Sequence, residues 1–252
     1  MKYFQQLKMI VPPKSRNKVI FACDGDYFNS YGIYNLLSCN NHNHDVHLHI
    51  INPTEDLFNK INKLTLSINL SISIEELDTS NINFYKLKSY YFCSRYFICD
   101  YLFNNDLIDK AYITDADVIF NENISFDNTV TLGILYYPKY SSPWKQTGAN
   151  FLYVTKERKS FVNKIVNLYQ HHVEINDFES ISNSMDKSVR ADIYGLDQVC
   201  MSEIIKNETD FFNLATIENF VSKKQNSKIW SLTGPWKKQP NIKSILETHV
   251  TR

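Results

Sequence analysis

Short apolar runs alternate along this chain with segments of helical periodicity, and that alternation restricts the fold more than any other feature. Lys18–Cys23 (KVIFAC) is a compact apolar run that reads as a first buried strand. Tyr31–Cys39 then carries apolar residues at helical spacing, and Val46–Ile51 (VHLHII) reads as a second strand. Asp56–Leu66 has a helical pattern, Leu70–Ile74 is short and extended, and Tyr90–Asn104 is a strongly aromatic helix. Strands follow at Ala111–Thr114, Thr131–Tyr137 and Asn150–Thr155, with a helix at Glu157–His172. Strands alternating with helices predict an α/β sheet covered on both faces. Asn176–Arg190 shows no clear period and reads as a loop or loose helix.

Composition allows such a core. Of 252 residues, 43% are hydrophobic and 14% aromatic, which excludes a disordered chain. Lys plus Arg equals Asp plus Glu at 27 each, so no global field argues for nucleic acid. The five cysteines form no CxxC pair and predict reduced, mostly buried thiols. The first residues lack the long apolar core of a signal peptide, and no run approaches a membrane span. Together these give a cytoplasmic expectation.

Two groups of residues have metal-ligand chemistry. His42, His44, His47 and His49 lie close together, but on a turn and an alternating strand, where solvated side chains are the simpler expectation. The other group is Asp115 and Asp117 in YITDADVIF, just where a strand ends. Residues i and i+2 of an extended chain point to one side, so both carboxylates can face one point. Two hard oxygen donors suit Mg²⁺ or Mn²⁺; an ordinary strand end meeting water is the alternative. A second pair, Asp24 and Asp26 in ACDGDYF, follows the first strand. It admits a phosphatase of the haloacid-dehalogenase type with Asp24 as nucleophile, although Tyr27 departs from that pattern.

The order of motifs is more specific than any one of them. ACDGDYF, YYFCSRYFICDYLF, KAYITDADVIF, TGANFLYV, YGLDQVCM and IWSLTGPWKKQP follow one another from about Val19 to about Gln239. This series resembles glycosyltransferase family 8, which includes glycogenin and bacterial lipopolysaccharide galactosyl- and glucosyltransferases. The resemblance implies a GT-A fold, with a Rossmann-like mixed sheet flanked by helices on both faces, and a retaining transfer from a UDP-sugar. It implies a catalytic domain over residues 1–220, completed by a basic, Trp-containing segment over 221–252. Ala22, Asp24 and Tyr27 would then surround the base and ribose. Arg95 would contact the donor; packing of its stem among aromatics is the alternative. Asp115 and Asp117 would hold Mn²⁺ (or Mg²⁺) at the diphosphate.

By the same resemblance, Gly148, Ala149 and Asn150 would line the donor site, although TGAN matches the family's Asn-Ala-Gly only loosely. Asp197 and Gln198 would lie beside the reacting carbon. The family's closing HxxGxxK keeps Gly234 and Lys237 here but has Ser231 at the position of the metal-binding His. Weaker metal binding, another ligand such as His249, and lost activity with retained nucleotide-sugar binding all follow as readings. A glycan, glycolipid or protein would be the acceptor. Seven Lys/Arg against one acid in residues 223–252 (Lys223, Lys224, Lys228, Lys237, Lys238, Lys243 and Arg252 against Glu247) allow peripheral contact with an anionic membrane, or a plainly solvated face.

Overall fold

The computed structural model describes residues 6–64, 66–80, 82, 84–174, 195–232 and 234–251. The expected loop at 176–190 lies outside them. The main sheet has eight strands in the order β1-β4-β3-β2-β5-β8-β7-β9. β1 is Lys8–Val11, β2 Asn17–Asp24, β3 Val46–Ile51, β4 Leu70–Glu75, β5 Lys110–Thr114, β7 Leu132–Tyr136, β8 Thr147–Thr155 and β9 Phe212–Asn213. β4, β3, β2 and β5 run parallel, β8 is antiparallel to β5 and to β7, and β1 closes one edge antiparallel to β4. The parallel strands read as continuous apolar runs because helices cover both of their faces.

Strand alternation sorts the core into two layers. Ile20, Ala111, Ile113, Leu152 and Val154 face the helices Phe84–Asn104, Lys159–Glu174 and Leu196–Ile205. Val19, Phe21, Leu48, Tyr112 and Tyr153 face the opposite way, toward the helices Ile33–Asn41 and Glu55–Asn62. The second of these starts on Thr54, whose hydroxyl accepts from the Leu57 amide, and carries Glu55 and Asp56 in its first turn, where the helix dipole favours them.

A small sheet, unforeseen from the sequence, completes the structure: β10 (Val221–Ser222), β11 (Ile229–Ser231) and β6 (Val118–Phe120), in that order with β6 at one edge. Trp230, fully buried, packs there with Ile119, Leu232 and the C-terminal helix Ile242–Val250. Residues 221–251 thus dock on the chain segment that directly follows Asp117. All five cysteines are free and buried, as expected. No helix among the described residues is long and apolar enough to cross a membrane.

The histidine expectation needs correction. His44, His47 and His49 are buried, because both faces of β3 are covered. His47 lies between the hydroxyls of Ser71 and Ser73, at 2.9 Å from each ring nitrogen, and His49 Nδ1 is 2.9 Å from Ser73 Oγ. Glu75, also buried, lies 3.5 Å from His49 and accepts from the Tyr90 hydroxyl. His44 Nε2 accepts from the Ile124 amide at 3.1 Å, and burial pulls its pKa down to about 4. His47 is likewise held well below the ordinary imidazole range, first by burial and then by His49.

Candidate active site

The segment Asp115–Ala116–Asp117 crosses from the main sheet to the small one. Its first residue is tied to the main sheet: the Asp115 amide donates to Asn150 O of β8 at 3.4 Å. Asn35, buried in the helix Ile33–Asn41, donates to Asp115 O at 3.0 Å. Its last residue is tied to the small sheet, where the Leu232 amide donates to Asp117 O at 3.0 Å. A cavity of about 580 Å³ opens at this junction, beyond the carboxyl ends of β2 and β5. Ligands of open α/β sheets bind in such a place.

Ala22, Asp24, Tyr27, Arg95, Asp115, Asp117, Ala149, Asn150, Asp197, Gln198 and Lys237 all line this cavity. The residues singled out in the sequence therefore converge, from segments nearly the whole chain apart. Gly148 does not line it: a Cβ there would come 3.1 Å from Leu135, so this glycine serves the close approach of β8 to β7. The backbone of Gly234 lies in the short 3₁₀ turn that carries Lys237. Ser231 stands opposite Val118 in the small sheet, and Leu232, not Ser231, is the neighbour of Asp117. Its hydroxyl is buried with no partner among the described residues. His249 lies elsewhere, with Nε2 2.6 Å from Asn121 Oδ1 and its ring against Trp230.

Two cations organise the charges. Arg95, 4% exposed, donates through Nη1 to Asp115 and through Nη2 to Asp197 Oδ2 at 2.7 Å and Ala149 O at 3.0 Å. Burial works against its charge, but Asp115, Tyr96 and Asp197 outweigh it and hold the guanidinium well above its usual pKa. Arg95 Nε has no partner among the described residues. The second cation, Lys237, lies 2.5 Å from Asp117 Oδ2. Burial pushes the Asp115 carboxyl up to about 6 against the pull of Arg95, with Asp117 adding repulsion. It raises Asp197 too, against Arg95 and the Gln198 amide. Three aspartates thus meet two cations, leaving one surplus negative charge when all are ionised.

Local structure holds these groups still. Asp24 Oδ1 accepts from the Tyr27 amide at 2.7 Å, capping the turn that presents Tyr27, whose hydroxyl donates to Asp117 Oδ2 at 3.1 Å. Gln198 and Thr147 are joined twice: Gln198 Nε2 donates to Thr147 O at 2.8 Å, and Thr147 Oγ1 to Gln198 O at 2.9 Å. Gly195, ahead of Asp197, has φ +93°, and a Cβ there would come 2.7 Å from Gln198 Oε1. Sequence reasoning passed over Gly195 as a site residue, and also Leu87, Lys88, Tyr91 and Phe92. These four extend the wall from Arg95 along one helix face, and their spacing was the available signal.

No family model matches the sequence, and no curated protein does. The structure, by contrast, matches two crystal structures of the glycosyltransferase GlyE of Streptococcus pneumoniae TIGR4, one of them the apo form. TM-scores are 0.59 and 0.60, at 13% and 15% sequence identity, over 94% of this chain. The chain has a glycosyltransferase fold. It spans 61% of the length of each of those two chains.

Proposed function

We propose that the protein is a metal-dependent, retaining glycosyltransferase that moves a hexose from a UDP-sugar to a glycan, glycolipid or protein acceptor. The observation that carries this reading is the cavity at the junction of the two sheets, where Asp115, Asp117 and Asp197 meet Arg95 and Lys237 within a glycosyltransferase fold. Asp115 and Asp117 fit a divalent cation: they are hard oxygen donors on one cavity, and the cluster carries surplus negative charge. Mn²⁺ or Mg²⁺ held there would neutralise the leaving diphosphate.

The chain's own residues do the rest. Arg95 and Lys237 bring fixed positive charge to the side of the cavity where the diphosphate accumulates negative charge, preorganised by Asp115, Asp197 and Asp117. Arg95 Nε keeps a donor for the ligand. Tyr27, with Ala22 and Asp24, forms the wall assigned to the nucleoside. Asp197 and Gln198, locked to Thr147 and Arg95, are assigned to the sugar and its reacting carbon.

One observation favours the rival reading, a nucleotide-sugar-binding protein with impaired catalysis. Ser231 faces away from Asp117, and no group of three His, Cys, Asp or Glu among the described residues could hold a metal. A panel of UDP-sugars tested by thermal shift with Mn²⁺ separates ligand from non-ligand, since a bound donor stabilises by mass action. A rise in Tm with one UDP-sugar is expected; no rise with any of them contradicts both readings.

Membrane contact is part of the same proposal. Lys223, Lys224, Lys238 and Lys243 are exposed, whereas Lys228 pairs with Glu122 and Lys237 with Asp117. Salt-sensitive pelleting with anionic vesicles is expected, and association that ignores salt would speak against it.

A further inference from the structure

Asp117 Oδ2 is surrounded before any ligand arrives. Lys237 Nζ lies 2.5 Å from it and also 2.5 Å from Tyr27 Oη, while the Tyr27 hydroxyl donates back to the same carboxylate oxygen at 3.1 Å. The ammonium sits over two aromatic rings, 5.1 Å from the Tyr27 centroid and 5.2 Å from that of Tyr31. Ammonium, phenol and carboxylate close a triangle around one oxygen of a side chain that is 4% exposed. The turn that carries Lys237 is fastened next to it, where Trp236 Nε1 donates to Lys223 O at 2.6 Å.

We propose that Lys237 is the internal counter-ion of Asp117, so that the divalent cation and the diphosphate bind as a pair and not in a metal-first order. The inference rests on the metal-dependent glycosyltransferase reading above. A dication brought alone to Asp115 and Asp117 meets an ammonium on one carboxylate and the Arg95 guanidinium on the other. Like charges at such short range in a partly desolvated site repel strongly. Lys237 cannot simply leave, because its charge would lose its carboxylate partner. A diphosphate removes the conflict by offering the ammonium an anionic oxygen in exchange for Asp117 Oδ2. The lysine stem is long and flexible enough to make that exchange while the turn stays fastened. Tyr27 and Tyr31 are positioning residues here: their rings hold the ammonium beside the cavity, and the Tyr27 hydroxyl steers it onto Asp117. Pairing of this kind is reciprocal, so each ligand must raise the affinity for the other.

Calorimetric titration of Mn²⁺ without nucleotide tests this in wild type, Lys237→Met and Lys237→Arg. We expect Lys237→Met to bind Mn²⁺ alone roughly tenfold tighter or more, the scale of one charge-assisted hydrogen bond removed from competition. Lys237→Arg keeps the charge and should stay near wild type, which separates counter-ion from fold. UDP should raise Mn²⁺ affinity in wild type by a larger factor than in Lys237→Met. Tyr27→Phe, which keeps the ring and loses the hydroxyl, should fall between. Equal Mn²⁺ affinity in wild type and Lys237→Met, with UDP binding intact, overturns the counter-ion role and leaves the transferase reading standing. Absence of both Mn²⁺ and UDP binding in wild type overturns the two together.

Discussion

One helix, Phe84–Asn104, serves two buried polar clusters of opposite character. Its Tyr90 donates to Glu75 at the end of the serine–histidine ladder on β3 and β4. Its Arg95, five residues on, holds Asp115 and Asp197 at the cavity. The ladder is sealed, and imidazoles and hydroxyls satisfy one another in it through bonds of 2.9 Å. The cavity cluster gathers five charged groups around open space of about 580 Å³. Both clusters drew attention in the sequence as sets of metal-ligand residues. Burial separates them: a polar group shut inside a sheet must find its partners there, whereas one at a cavity can keep capacity for a ligand.

Substitutions that treat the two clusters alike should therefore have unlike effects. Arg95→Ala is expected to have the largest. It leaves Asp115 and Asp197 without their shared cation, at a cost of about 3–5 kcal/mol in denaturant unfolding, and it should also abolish the Tm rise given by a UDP-sugar. Stability close to wild type would show that this ion pair is not structural. His47→Ala should be milder, costing about 1–3 kcal/mol, because it strands two buried hydroxyls. Its UDP-sugar response should remain, and loss of that response would erase the distinction between the clusters.

The smallest effect is a slope with pH. His44 and His47 have folded pKa values below their unfolded ones, so the unfolded chain binds more protons as pH falls from about 6.5. Their contribution is complete above about 6.5 and is lost progressively toward pH 4, the folded value of His44. Unfolding free energy measured across that window should fall with pH in wild type and flatten in the His44→Gln, His47→Gln double variant. An unchanged slope would mean that the ladder takes up protons without strain.

What the sequence made legible follows the same division between local and remote signals. β2, β3 and β5 were visible because parallel strands covered on both faces are continuous apolar runs. The aromatic helix was visible too, although it begins at Phe84 and not Tyr90. β6 escaped notice because VIF gains its partner only from residues 229–231, more than a hundred positions away. His47 and His49 looked solvated because VHLHII alternates; what buries them is the matching SISIE of β4, whose hydroxyls pair with them across the strands. At the site, Asp115, Asp117, Arg95 and Lys237 could be picked out as motif residues. That Tyr27 and Lys237 meet on Asp117 depends on a fold bringing positions 27, 117 and 237 together, which no local pattern encodes.

The central claim, that this cavity transfers a sugar from a nucleotide donor, is tested most directly by UDP release. Each of a panel of UDP-sugars would be incubated with Mn²⁺ and either wild type or Asp117→Ala, and free UDP measured over time. The account predicts slow hydrolysis of at least one donor by wild type, and a rate lower by about 10²–10³ in Asp117→Ala, the scale of losing one electrostatic stabiliser. Hydrolysis that survives the substitution unchanged would contradict the role given to Asp117, and no UDP release from any donor would contradict the transferase reading itself.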